Sequence, residues 1–251
     1  MNSNQLLFTY IKIEILRFLR EPVSLFFTLI FPIILIYVFG DSFGGTTSKD
    51  TGITYYNSLV SIDIAFLIAN FTLMGIGNDL ANQKELGILE NSSLLPIKKW
   101  YKTVLESIAY LMILFVSSIL VTIYVYTFYD GIHFRGNLLI YILFIILSYF
   151  TFVSITRFIV SLDYSARTIQ LINSSFFFIL LFTSGIVIPK ESLPVALQGF
   201  VSFSPLYGIY FILDGIWNDT ASAKNISFYS GYFMVLILIF SILSKWKKIR
   251  S

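Results

Sequence analysis

The sequence predicts an all-α integral membrane protein with six transmembrane helices, and three observations carry that prediction: composition, the length of the apolar runs and the placement of the cations. Of the 251 residues, 57% are hydrophobic and 12% charged, with a mean hydropathy of +0.81. Average soluble domains are roughly half apolar and a quarter charged. The apolar residues form runs of about twenty, the length that ~30 Å of hydrocarbon demands of a helix rising ~1.5 Å per residue. Lysine and arginine, finally, alternate in abundance from one connecting segment to the next.

In chain order, residues 5–21 place Leu7, Phe8, Ile11, Ile15, Phe18 and Leu19 on one side of a helical wheel, with Gln5, Thr9, Lys12, Arg17 and Arg20 opposite. This is the helical period. A basic amphipathic helix of this kind lies in the membrane interface, and Pro22 closes it, because the residue before a proline is pushed out of the helical region. Residues 1–22 are thus read as an interfacial helix and 23–251 as one six-span domain. The spans are predicted at 23–40, 55–77, 104–126, 138–160, 169–188 and 226–243. The first is read as retained and not as a cleaved signal, since patterned helix precedes it and no small-residue cleavage site follows.

Thirteen of the seventeen Lys and Arg fall on the side that holds both termini, among them Lys12, Arg17, Arg20, Lys84 and Arg157; only Lys49, Arg135, Lys190 and Lys224 fall on the other. Cytoplasmic loops are enriched in these residues, so both termini are expected in the cytoplasm, in the inner membrane of a cell. Between spans five and six, residues 192–215 are apolar and aromatic yet punctuated by Pro194, Gly199, Pro205 and Gly208. Two short re-entrant helices would explain such a segment, because broken helices at membrane depth occur where protein or a cavity covers their free backbone groups. A compact interfacial cap is the plainer alternative.

Several chemistries are excluded by composition. There are no cysteines and one histidine, His133, which removes thiolate catalysis, disulfides, multi-histidine metal sites and the H-E-x-x-H proteases. No Gly is followed by Lys, so the chain has no phosphate-cradling loop of the G-x-x-x-x-G-K type. Of the ionisable groups in or near spans, Glu106, Arg157 and Asp163 sit at predicted boundaries, where solvation or pairing accounts for them. Asp63 lies eight residues into its span, where a charge costs on the order of 3 kcal/mol on insertion scales and normally faces protein.

Two stretches resemble a known family. The first is Gln83-Lys84-Glu85-Leu86-Gly87-Ile88-Leu89-Glu90, followed by Leu94-Leu95-Pro96; it is similar to the basic/acidic-Gly-x-Leu-Glu and Leu-x-x-x-Pro pattern of type-2 ATP-binding-cassette exporter permeases. The second runs Ser184-Gly185-Ile186-Val187-Ile188-Pro189, then Leu193-Pro194, then Ser204-Pro205-Leu206-Tyr207, and resembles that family's series after the fifth span, with Ser204 where the family usually has Asn. Arg20, Glu21 and Pro22 ahead of the first span extend the likeness over essentially the whole chain.

The resemblance implies a permease that binds no nucleotide itself and works with two copies of a separate ATPase, which carry ATP and Mg. It also implies a second permease, as homodimer or sister heterodimer, in contact with membrane lipid and with no nucleic acid. A coupling helix between spans two and three would meet the ATPase through Glu85, Leu86, Gly87, Leu89 and Glu90. Such a helix makes physical sense as a knob with exposed carboxylates; a solvated charged loop is the bland alternative. Lys12, Glu14, Arg17, Arg20 and Glu21 of the interfacial helix are a second candidate contact, with headgroup anchoring as their alternative. Candidate path or exit residues are Asp63, Phe177, Pro189, Pro194, Pro205, Tyr207 and Tyr210. Aromatics are 18% of the chain, and aromatic belts or ordinary packing are the plainer account of any single ring. The expected cargo is an amphipathic peptide or hydrophobic drug. Export of a lipid-linked glycan, gradient-driven transport and, least favoured, an intramembrane enzyme are the alternatives.

Overall fold

A computed structural model describes residues 3–20, 22–43, 54–88, 99–186, 198–199, 201 and 203–250. Glu21, Leu89, Glu90, Pro189 and Pro194 lie outside the described residues. Among those described, the regular elements are helices. Helix α1 spans Ser3–Leu19. Helix α2 is continuous from Pro22–Leu25 through a π-helical turn, Phe26–Ile30, into Phe31–Phe43, with proline at its first residue, where no amide donor is needed. Helix α3 runs likewise through Tyr55–Asn70, a π turn at Phe71–Ile76, and Gly77–Glu85. Then come α4 (Lys99–Phe128), α5 (Leu138–Val160), α6 (Ala166–Thr183), α7 (Pro205–Trp217) and α8 (Ala223–Arg250).

Among the described residues, five stretches are long and apolar enough to cross a membrane: Tyr55–Glu85, Tyr101–Phe128, Leu138–Val160, Ala166–Thr183 and Ala223–Trp246. The predicted first span corresponds to α2, whose apolar stretch Phe26–Ser42 is shorter. The protein is an all-α membrane protein, as the composition predicts.

Helix α3 is the axis of the bundle. It packs against α2, α4, α5, α6 and α7, and 89% of its apolar window is buried, against 6% for α8, which lies outside on α5. A helix apolar on nearly all faces needs protein on all sides, and the run from Leu59 to Ala69, Ser61 and Asp63 apart, is of that kind, with each residue at most 5% exposed. Side-chain donors meet the carbonyls of both π turns, whose widened geometry loosens the helical ladder. Asn70 Nδ2 donates to the Phe27 carbonyl at 2.6 Å, and Thr156 Oγ1 to that of Thr72 at 3.2 Å.

Several boundaries differ from expectation, α4 among them, which runs Lys99–Phe128 and not 104–126. Helix α3 continues eight residues past 77, to Glu85, because falling hydropathy marks the edge of the bilayer and nothing in residues 78–85 breaks a helix. Helix α6 stops at Thr183 and not at 188, since Gly185 takes φ +73°. Helix α8 extends beyond 226–243 at both ends.

Candidate functional site

Charged side chains concentrate where α1, the far end of α3 and the α5–α6 turn meet. Helix α1 packs on α4 and α2, with Ile15 and Phe18 against the core and the Phe18 ring edge-on to Phe71 at 5.7 Å. The wheel predicts Arg17 on the outer polar face. The structure turns it inward instead, where it pairs with Asp79 of α3 and lies 3.3 Å from Glu14, which is buried. Asp79 accepts two further hydrogen bonds, from the Tyr110 hydroxyl at 3.0 Å and from Gln83 Nε2 at 2.9 Å, and Arg17 also donates to Tyr110 at 3.2 Å. Lys12 and Arg20 are exposed, as the amphipathic reading expects. Phe8, Ile13, Leu16 and Leu19 are exposed as well, leaving α1 an apolar outer face suited to an interface.

The candidate coupling segment begins differently from the sequence reading. Glu85 is the last residue of α3 and not the first of a separate helix. Leu86 follows in a turn, with its amide on the Asn82 carbonyl, and Gly87 adopts φ +69°, the left-handed conformation that closes a helix C-terminus. Gly87 thus serves a conformational role here. Leu86 is 71% exposed and Ile88 44%, so the turn presents apolar side chains outward.

Glu85 itself is engaged within the chain. Its carboxylate accepts the backbone N–H of Ala166 at 2.9 Å, at the first residue of α6, where a helix N-terminus favours negative charge. The preceding Lys84 donates to the carbonyls of Val160 at 3.2 Å and Leu162 at 2.6 Å, at the C-terminal end of α5, where the sign favours a cation. Gln170 of α6 donates to Asn82 at 2.9 Å. Residues 82–85 thus grip the α5–α6 turn from both of its helix ends.

The remaining candidates are dispersed. Asp63 is 2% exposed, with Oδ2 lacking a hydrogen-bond partner, beside a hollow of about 10 Å³ between Leu35, Ile36 and Ile186. That space holds about one water and is no route for a larger molecule. Phe177 is 1% exposed and stands edge-on to Phe66 at 5.5 Å, a core position and not a lining one. Pro205 opens α7. Tyr207 and Tyr210, both half-buried, belong to an aromatic patch shared by α7 and α8: Tyr207 stacks on Phe211 at 5.8 Å and Phe211 meets Tyr229 at 5.6 Å. Lys102 pairs with Glu106 at 3.4 Å, and Arg157 and Asp163 are exposed, in agreement with boundary positions.

Sequence reasoning missed Asp79 and Tyr110 as parts of the site, and took Gln83 and Lys84 only as members of the family-like motif and, for Lys84, as a marker of orientation. Extending the helical period past 77 would have placed Asp79 and Gln83 on one face, since residues four apart are neighbours. It also missed a polar clamp at the opposite end. There Asn57 Nδ2 bonds to Asn218, Asn57 Oδ1 accepts the His133 amide at 2.8 Å, and Asn218 Nδ2 donates to Asp214 at 2.9 Å. Burial pushes Asp214 up to about 6, against hydrogen bonds from Ser58 and Asn218 that favour its charged form. The loop before α5 lies directly on α7: the Arg135 amide donates to the Trp217 carbonyl at 3.0 Å, and a side chain at Gly136 would collide with the Ile216 carbonyl.

A buried central helix ringed by apolar helices, with its cations and carboxylates interlocked at one end, defines a multi-pass membrane protein. The family model for the ABC-2 type transporter matches residues 5–217, from α1 through α7, and the chain belongs to that family. It is a transmembrane component of an ABC-type transport system, a permease component and not the catalytic ATPase, and the family pairs it with an ABC ATPase. No curated protein matches it.

Proposed function

We propose that this chain forms the export path of an ATP-driven exporter and receives the power stroke of its ATPase through the turn that follows α3. The observation that carries this reading is the grip of Lys84 and Glu85 on the α5–α6 turn. A contact at residues 85–90 moves α3, and with it both helices whose ends those side chains hold. The Arg17–Asp79 pair adds α1 to the same rigid group. ATP closing the partner ATPases pushes this end of the bundle, tilts α3, α5 and α6 together, and opens a route on the opposite side. Coupling of this kind requires elements that move as a unit between two arrangements.

Two ATPases and two permeases, with both chain termini in the cytoplasm of an inner membrane, complete the proposed assembly. The cargo is an amphipathic peptide or hydrophobic drug. The supporting features are a short link between α4 and α5 and an interior whose buried groups are mostly apolar.

The test is affinity purification of the tagged protein from gently solubilised native membranes, with mass spectrometry of what accompanies it. A nucleotide-binding ATPase in equal ratio, lost when Glu85 and Glu90 are both changed to Lys, supports the reading. A protein that comes alone moves a gradient-driven carrier ahead of it.

A further inference from the structure

One sizeable hollow among the described residues has no place in this coupling scheme. It measures about 410 Å³ and lies between α4 and α5 at the Trp217 end of the bundle, with Ile64 of α3 as its floor. That volume is within the range of roughly 300–1,000 Å³ typical of ligand sites. Consecutive helices in a bundle normally pack on each other, but here α4 lies against α1, α2 and α3, while α5 lies against α3, α6, α7 and α8. The link between them is drawn away onto α7 by the Arg135–Trp217 hydrogen bond, and the two helices stay apart at this end.

We propose that this hollow is a binding site for one acyl chain of a membrane phospholipid. Its length fits one leaflet: on α4 it runs from Phe115 to Tyr126, about 16 Å at 1.5 Å per residue, or half of the ~30 Å hydrocarbon core. Its chemistry favours hydrocarbon. The Ser118 and Thr122 hydroxyls that line it are spent on the carbonyls of Leu114 at 2.9 Å and Ser118 at 2.8 Å, and the Tyr141 hydroxyl meets Ser61 at 3.4 Å. The Trp217 indole N–H is directed to Asn57 at 3.5 Å. A ligand with acceptors to satisfy would find these donors already engaged, at a cost of roughly 1–3 kcal/mol each, and water is disfavoured in a cavity so lined.

The mouth is continuous with the lipid-facing surface. Val116, Leu120 and Ile123 flank it on α4, and Leu139 and Leu143 on α5, each exposed by 46–68%. An acyl chain therefore enters sideways from the bilayer with its headgroup left at the rim, where Tyr126, Phe134 and Trp217 form the aromatic edge expected at a membrane interface.

The experiment uses the full-length protein with Trp100→Phe and Trp246→Phe, leaving Trp217 as its sole indole, in nanodiscs of phosphatidylcholine brominated on its acyl chains. Trp217 is 5% exposed, so bulk lipid reaches it poorly and a chain in the hollow reaches it well. The expected result is strong quenching in this background and at least a threefold weaker effect after Ser118→Phe or Ile145→Phe, either of which fills the hollow. Equal quenching in parent and filled variants, or none in the parent, overturns the proposal. So does quenching by a brominated single-chain detergent that brominated phosphatidylcholine cannot reproduce. A filled variant that fails to insert is replaced by competition in the parent, where unbrominated phosphatidylcholine must relieve the quenching in proportion to its mole fraction. No ATPase takes part, so failure here leaves the transport reading untouched.

Discussion

Lys84 and Glu85, adjacent in the chain, hold opposite helix ends: Lys84 donates to the carbonyls of Val160 and Leu162 at the close of α5, and Glu85 accepts the amide of Ala166 at the start of α6. Each charge has the sign that its helix terminus favours. One turn of α3 therefore positions two helices, and the same turn leads into the exposed Leu86 and Ile88. That continuity separates two roles that a charge reversal would mix.

Glu85→Gln should separate them. The amide oxygen still accepts the Ala166 N–H, but without charge, so the contact weakens by about 1 kcal/mol or less. Glu85→Lys places like sign against the α6 N-terminus and loses the acceptor. Substrate-stimulated ATPase activity of the reconstituted complex should fall severalfold in the first and about tenfold or more in the second. Full activity of Glu85→Lys would show that the grip transmits nothing.

The Arg17–Asp79 pair should behave as a unit. Asp79 accepts from Arg17, Tyr110 and Gln83, so Asp79→Asn leaves Arg17 beside a partner of reduced attraction, and Arg17→Ala leaves a partly buried carboxylate with two neutral donors. Each single change should cost on the order of 1–3 kcal/mol, less the screening that a 38% exposed Arg17 side chain admits. Thermal inactivation in detergent should move down by a few degrees, roughly 2–4 °C per kcal/mol. The cost of Arg17→Ala in an Asp79→Asn background should be much smaller than in the parent, and simple additivity would argue against a shared network.

What was legible in the sequence follows from which forces act locally. Hydropathy found five of the long helices because the bilayer acts on each helix separately, and the cost of a charge in the bilayer is why Asp63 was expected to face protein or a path. It cut α3 short because Asn78 to Glu85 is polar, yet the chain stays helical there by propensity and by contacts with α5 and α6. The wheel of α1 placed Lys12 and Arg20 outward correctly and Arg17 wrongly, since a wheel counts polarity without knowing that Asp79 lies opposite. Phe177 and Phe66 meet across more than a hundred residues, a relationship that no local pattern encodes. The Glu85 motif was visible by resemblance, but its partner is a backbone amide at Ala166, which carries no signal in residue type.

The clamp at the Trp217 end should be pH-dependent. Folding raises Asp214 from 3.8 to about 6, so the folded protein binds this proton more tightly than the unfolded chain does. Stability linked to Asp214 is then fully present below pH ~4, is lost as pH rises through ~6, and is flat above that. Asp214→Asn, which keeps an acceptor for Asn218, should abolish this dependence and stabilise the protein at pH 7. Thermal inactivation of parent and variant between pH 4.5 and 7.5 tests it, and parallel curves would remove Asp214 from the account.

Tyr207 and Tyr210 distinguish a path from packing. Both rings are half-buried at the α7–α8 patch, and Gly208 between them lets Tyr229 approach α7 closely. If the rings meet cargo, Tyr207→Ala with Tyr210→Ala should change the substrate range or slow transport severalfold while leaving ATPase binding intact, and Phe at both positions should restore transport of apolar cargo. If they are packing alone, the alanine pair should lower thermal stability by several degrees with substrate preference unchanged, because deleting partly buried aromatics costs on the order of 3 kcal/mol or less each. Transport of a panel of apolar dyes and peptides by proteoliposomes, beside inactivation temperatures of the same preparations, reads both quantities at once. A shift in preference at constant stability assigns the rings to the route, and a stability loss at constant preference removes them from it.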